Sequence, residues 1–352
     1  MAETRTEPIM PKPETAVVEA VSDAIERRGL LRGIRHLVVA CSGGGDSVAL
    51  TDLIVELAPQ LELTVTLAHL NHGLRGSGSE ADEGHVRDLA QRYGVACETA
   101  RLDDPDAAAG GLEERLRNAR HGFLSEVVGR IGADAVALGH TLDDRVETVL
   151  MNLARGTGSR GLVGMRWRNH VGRLLLLRPL LGVRREALRR YTRERGVAWR
   201  EDPSNMDSRF TRNRVRSLVM PALEQALPGA VERIARAAEL LDQDNEWLEG
   251  LVTEALAAAR RDEPYPGATA LDVGVLQGLP RALAARVLRQ ALSEVRGGLR
   301  GLYRAHVDAI VEQLLTGAES ARDLPGVRAR IEAGRLRLLP LKNRLLAAPD
   351  RA

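Results

Sequence analysis

The string Ser42-Gly43-Gly44-Gly45-Asp46-Ser47 follows a short apolar run at residues 37–40 and precedes apolar positions at helical spacing over residues 48–57. Glycines at such a turn let backbone N–H groups close around an anion, with the positive end of a helix dipole behind them. The chemistry offered is a phosphate cradle. It has neither the lysine of GxxxxGK[ST] nor the spacing of GxGxxG. The bland alternative is a strand-to-helix turn in which Asp46 or Ser47 only caps the helix. A second constellation is Gly139-His-Thr-Leu-Asp-Asp-Arg-Val-Glu-Thr148. Asp143 and Glu147 stand four apart, Asp144 and Glu147 three apart, so all share one helical face. Such carboxylates bind Mg²⁺, an ammonium group, or both. Thr141 with Asp144 also reads as a capping box. His140 alone is a poor metal ligand, since no His/Cys cluster accompanies it. Further strings of interest are NHGLR at 71–75, RGTGSRGLVGM at 155–165, RPLL at 178–181, EDPSN at 201–205 and RNRVR at 212–216.

The elements that must position these residues alternate. Strands are expected at residues 37–40, 63–69, 96–102 and 135–138, with helices at 48–57, 80–93, 112–131 and 143–153. That alternation implies an α/β fold, a mostly parallel sheet with helices on both faces. In such sheets ligands bind outside the carboxyl ends of the strands, so the glycine turn, residues 69–74 and His140 should converge on one cleft. Beyond Pro221 the chain reads as helix after helix, ending in a hairpin-like run at 327–341. The expected division is an N-terminal extension and first helix (1–30), a catalytic domain (31–220) and a mainly helical domain (221–352). Residues up to about 14 are polar and proline-bearing, and are expected to be disordered.

Charge is nearly balanced at +2 overall, but not locally. Between residues 155 and 216 stand seventeen arginines against five acids, a surplus of +12. Such a surplus is the footprint of a nucleic-acid contact, against the alternative of an arginine-rich solvated surface. Lysine occurs only at positions 12 and 342, which reflects compositional bias. Cys41 and Cys97 make no disulfide framework and fit a reducing compartment. No apolar run approaches the ~20 residues of a membrane span. A soluble cytoplasmic protein with no membrane partner is expected.

Taken in order, SGGGDS, NHGLR, GHTLDDRVET, RGTGSRGLVGM, RPLL, EDPSN and RNRVR resemble the tRNA(Ile)-lysidine synthetase family over about residues 37–230. That family is an N-type branch of the PP-loop ATP pyrophosphatases. The resemblance implies a Rossmann-like PP-loop domain, followed by a helical domain that contacts tRNA. It implies adenylation of the oxygen on carbon 2 of the wobble cytidine in the CAU-anticodon isoleucine tRNA, with ATP as donor and release of pyrophosphate. Free lysine then attacks through its ε-amine and expels AMP. By the same resemblance Ser42, Gly43, Gly44, Gly45, Asp46 and Ser47 hold ATP. Asp46, Arg120, His140 and Asp144 are expected to be catalytic. The residues themselves suggest the rest: convergent carboxylates on Asp144 and Glu147 suit the lysine ammonium, the arginine surplus puts Arg155, Arg212, Arg214 and Arg216 on tRNA, and Asp46 with Asp143 suits Mg²⁺. The resemblance leaves room for a homodimer. Thr141 departs from the family's usual second histidine, and any further C-terminal module of longer relatives is expected to be missing. Two alternatives stand beside this reading: a PP-loop tRNA thiolase, disfavoured by the lack of any CxxC, and a non-catalytic nucleotide- or tRNA-binding module.

Overall fold

The apolar run at 37–40 forms the strand β1 (His36–Ala40), whose Leu37, Val38 and Val39 are fully buried. A strand apolar at every position is one covered on both faces. The computed structural model describes residues 13–73, 76–102, 112–201, 209–316 and 319–341. Of the leader expected to be disordered to about residue 14, residues 1–12 lie outside the described residues and Pro13 and Glu14 instead open a helix. Leu74 and Arg75 of NHGLR and Asp202 to Asn205 of EDPSN also lie outside the described residues.

β2 (Thr64–Asn71) pairs in parallel with β1, β3 (Ala96–Arg101) with β2, and β4 (Ala135–Leu138) with the other side of β1. β5 (Arg168–Val171) and β6 (Leu174–Leu177) form a hairpin, and β6 joins β4 in parallel, so the order is β3-β2-β1-β4-β6-β5. The hairpin was not expected from the sequence. Its turn needs only Gly172, at φ +59°, and Arg173.

Around the sheet run α1 (Pro13–Arg27), α2 (Gly45–Leu57), α3 (Ser77–Tyr93), α4 (Leu112–Ile131), α5 (Leu142–Ala154), α6 (Ser159–Leu162) and α7 (Arg185–Glu194). Successive strand residues point to opposite faces. Leu37 and Val39, Val65 and Leu67, Ala135 and Ala137 pack with α1, α2, α3 and α7. Val38, Val136, Leu174 and Leu176 pack with Leu124 and Val127 of α4 on the other face. The chain leaves β1 towards β2 and β3, then returns to lay β4 on the opposite side. That reversal opens a crevice outside the carboxyl ends of β1 and β4, where open α/β sheets bind ligands. Beyond the sheet come α8 (Thr211–Arg214), a π-helical turn at Val215–Val219, α9 (Met220–Ala226) and the long α10 (Ala230–Ala259).

The chain divides into two compact units, Met1–Asp242 and Gln243–Ala352. The second holds a five-stranded antiparallel sheet of order β7-β8-β11-β10-β9. Its strands are β7 (Arg260–Arg261), β8 (Thr269–Asp272), β9 (Ser320–Leu324), β10 (Val327–Glu332) and β11 (Arg335–Pro340). Three helices, α11 (Val273–Gln277), α12 (Arg281–Arg296) and α13 (Arg304–Thr316), share its apolar core through Leu276, Val287, Leu288 and Ile310. The hairpin read from the sequence is β10–β11, turning at Ala333 and Gly334 with φ of +48° and +72°. The rest of that sheet is an addition to the helical reading. Among the described residues no helix is long and apolar enough to cross a membrane.

Candidate active site

The glycine turn closes between β1 and α2. Gly43 has φ +82°, a conformation that favours glycine. Gly44 is the N-cap of α2 and no side chain caps it, so the first turn's N–H groups have no side-chain acceptor competing for them. The capping alternative is thereby answered for Ser47, whose hydroxyl serves the turn itself. It accepts from the Ser42 N–H at 3.1 Å and donates to the Gly44 carbonyl at 2.9 Å. From β4, Gly139 abuts this turn: a Cβ there would lie 3.1 Å from the Asp46 carbonyl carbon and oxygen and from Ser47 Cα. Only glycine lets the two strand ends meet this closely. Behind the turn, Asp52 of α2 accepts from Tyr191 Oη at 2.5 Å and Arg195 Nε at 3.1 Å, tying α2 to α7.

Beside the turn lies a largely buried cluster in which the carboxylates of Asp46, Asp143, Asp144 and Glu147 meet the guanidiniums of Arg185, Arg212 and Arg216 or the backbone of Arg185. Arg185 Nε bonds Asp46 Oδ2 at 3.0 Å, its Nη2 bonds Asp144 Oδ1 at 2.7 Å, and its Nη1 reaches Glu147 Oε1 at 3.4 Å. Its backbone N–H donates to Asp143 Oδ2 at 2.7 Å. Arg212 Nε bonds Glu147 Oε2 at 2.9 Å, and Arg216 Nε bonds Glu147 Oε1 at 2.7 Å. Both also reach Asp144 Oδ1, at 3.2 and 2.9 Å. The Thr141–Asp144 capping box is present at the same time. Asp144 divides its oxygens, Oδ2 to Thr141 and Oδ1 to the arginines. Thr141 is thus the residue that orients Asp144.

The charges shape one another. Burial raises the Asp144 carboxyl, yet Arg185, Arg212 and Arg216 outweigh it and hold the group well below the usual carboxylate range. Burial likewise raises Asp46, and there Arg185 only partly opposes it, so the carboxyl ends above its ordinary value. His140 lies at the end of β4 and is pushed down to about 3, first by burial and then by nearby arginines including Arg178 and Arg120. Arg178 Nε donates to its Nδ1 at 3.2 Å. The imidazole is therefore neutral, with Nε2 as its donor.

The cluster unites Asp46, Asp143, Asp144 and Glu147, and His140 adjoins it. Arg120 is exposed on α4. Of the four arginines expected on tRNA, Arg155 and Arg214 are exposed, whereas Arg212 and Arg216 turn onto Asp144 and Glu147. Arg178 and Arg185 had no role assigned from sequence. The available signals were the RPLL string and an arginine pair opening a helix. Cys41 is buried and its thiol is pushed up by that burial, the opposite of an activated thiolate.

A mostly parallel sheet with an uncapped glycine turn at its switch point is the architecture of a nucleotide-phosphate site. A PP-loop domain family matches residues 13–223, and the TilS substrate binding domain family matches residues 271–337. A tRNA(Ile)-lysidine synthase of Geobacter sulfurreducens is 40% identical over 314 residues, 88% of this chain and 66% of that protein. One from Salinispora arenicola is 42% identical over 320 residues, 88% of this chain and 94% of that protein. The chain thus spans about two thirds of the first relative's length and nearly all of the second's. The U34-tRNA thiolase NcsA from Methanococcus maripaludis, solved with its 4Fe-4S cluster, shares the fold. Its TM-score is 0.54 at 18% identity, over 65% of this chain and 80% of that one. The chain belongs to the tRNA(Ile)-lysidine synthase family.

Proposed function

We propose that the chain adenylates carbon 2's oxygen on the wobble cytidine of the CAU-anticodon isoleucine tRNA, and then joins free lysine there to give lysidine. The observation that carries this reading is the uncapped Ser42–Ser47 turn, pressed against Gly139 between the ends of β1 and β4. A cradle without a P-loop lysine suits holding pyrophosphate as leaving group while the α-phosphate is attacked. Ser42, Gly43, Gly44, Gly45 and Ser47 line the pyrophosphate. His140, kept neutral by burial and by Arg178, offers an Nε2–H donor to the oxygens around the α-phosphate. Arg120 supplies positive charge towards the base as negative charge develops.

The lysine ammonium is assigned to Asp144 and Glu147. Their charge is already matched by Arg185, Arg212 and Arg216, so the ammonium enters by displacing a guanidinium. Arg212 and Arg216 are the ones able to leave. Their side chains are 26% and 29% exposed, against 15% for Arg185, and can turn to RNA phosphates. The ammonium first loses a proton to solvent; the neutral amine then attacks carbon 2, forming the C–N bond and breaking the C–O bond to AMP, and a second N–H proton leaves to solvent.

Among the described residues no group of three or more His, Cys, Asp or Glu side chains is placed to hold a metal. Mg²⁺ needs only one or two carboxylates when phosphates complete its shell. Asp46, in the first turn of α2, fits that need. Asp143 fits it less well, since Arg184 and the Arg185 N–H already engage both of its oxygens. Bound there, the ion would neutralise the departing pyrophosphate. The cytoplasm is the compartment that suits this substrate.

The reading is tested with ATP labelled at the α- or γ-phosphate, the tRNA transcript and no lysine. α-Label should enter tRNA while γ-label appears as pyrophosphate. Accumulation of ADP would overturn the reading.

A further inference from the structure

The segment after α7 crosses the outside of the glycine turn. Val197 is buried and its N–H donates to the Thr192 carbonyl at 3.0 Å, so the chain leaves α7 firmly placed. Two residues on, the Trp199 indole lies over Gly45. A Cβ at Gly45 would meet Trp199 Cδ1 at 3.4 Å, Nε1 at 3.5 Å and Cγ at 3.6 Å. The next residue, Arg200, donates its backbone N–H to the Gly43 carbonyl at 2.9 Å. Its side chain reaches across to α3, where Nε bonds Asp82 Oδ1 at 2.5 Å. His85 and Val86 of the same helix stand against the Cβ position of Gly43, at 3.6 and 3.7 Å.

We propose that Trp199 and the backbone N–H of Arg200 are positioning residues of the phosphate cradle, holding its three-glycine turn in the anion-binding form before ATP arrives. The inference rests on reading that turn as the ATP site. Three consecutive glycines lose more backbone freedom on ordering than any other tripeptide. Ser47 secures the turn from inside through Cys41, Ser42 and Gly44, but none of its hydroxyl's bonds reaches Gly43 or Gly45. Those two residues are the ones held from outside, Gly43 by a hydrogen bond and Gly45 by an aromatic surface. A turn ordered in advance spends less of ATP's binding free energy on its own ordering.

The test uses the full-length protein. Trp199→Ala should weaken ATP binding and raise the KM for ATP about tenfold, equivalent to about 1.4 kcal/mol. Affinity for tRNA and kcat at saturating ATP should stay within about twofold, which a general loss of structure would not spare. Trp199→Phe, which restores an aromatic cover, should recover most of the loss. Arg200→Ala keeps the N–H and should bind ATP better than Arg200→Pro, which lacks it. With Trp167→Phe and Trp247→Phe in place, Trp199 is the remaining indole, and its emission should change when ATP binds. ATP binding by Trp199→Ala equal to the parent, or equal weakness in the Ala and Phe variants, would overturn the proposal. Failure of the unmodified protein to bind ATP would instead overturn the cradle reading beneath it.

Discussion

Replacing Glu147 by glutamine strips one charge from the centre of the buried cluster while keeping its shape. Glu147 is fully buried, and it accepts from Arg212 Nε at 2.9 Å and from Arg216 Nε and Nη2 at 2.7 and 3.1 Å. Removing one partner of a buried ion pair costs about 3–5 kcal/mol, and losing one charged hydrogen bond about 1.5–3 kcal/mol. Both arginines retain some solvent and keep Asp144 as a second acceptor, so the lower end applies, about 3 kcal/mol. At about 2–4 °C per kcal/mol for a unit of this size, the melting temperature should fall by about 6–12 °C. Pairing Glu147→Gln with Arg216→Met removes the orphaned cation and should recover about half of that loss. The same variant should raise the lysine requirement about ten- to a hundredfold, at about 1.4 kcal/mol per decade. Adenylation, which precedes lysine entry, should survive better. The assay is a thermal melt alongside a lysine titration on tRNA adenylated beforehand. An unchanged melting temperature would refute the ion cluster. Equal loss of adenylation and lysine transfer would refute the lysine assignment and return the carboxylates to the adenylation step.

Gly139→Ala drives a methyl group into the Asp46 and Ser47 backbone, which cannot give way as a side chain would. It should cost about 1–3 kcal/mol of stability and lower kcat/KM for ATP by about tenfold or more, measured by melting and by pyrophosphate release. His140 titrates in the unfolded chain near 6.5 but only at about 3 in the fold. Its contribution to stability is therefore complete above about pH 6.5 and is lost as pH falls towards 3. Urea midpoints taken between pH 7 and 4.5 should decline less in His140→Gln, and identical declines would show that His140 is not the group responsible. The exposed Arg155 and Arg214, changed singly to alanine, should each weaken tRNA binding and reduce the salt slope by about 0.7–0.9. Unchanged slopes would leave both as solvated surface.

Much of the catalytic unit was legible because its signals are local. The bounds of α4 and β4, the turn at residues 42–47 and the Thr141 capping box each follow from neighbouring residues. The hairpin β5–β6 was missed, although four successive leucines between Arg173 and Arg178 are the mark of a buried strand. The site's electrostatics were not legible. Arg185 meets Asp46 from 139 positions away and Arg216 meets Asp144 from 72, and no spacing rule reports such pairs. The arginine surplus pointed outward to a polyanion, whereas its members Arg185, Arg212 and Arg216 face inward to carboxylates. In the second unit, strands as polar as Ser320–Leu324 show only a faint alternation, so most of that sheet was invisible beside its helices.

The most direct measurement combines purified protein, ATP, radiolabelled lysine and a transcript of the CAU-anticodon isoleucine tRNA. Label should enter tRNA, with one AMP and one pyrophosphate formed per lysine, and none of these should appear with Asp46→Ala. Lysine-independent conversion of ATP to ADP, or tRNA that takes up no lysine while pyrophosphate accumulates, would contradict the proposed reaction.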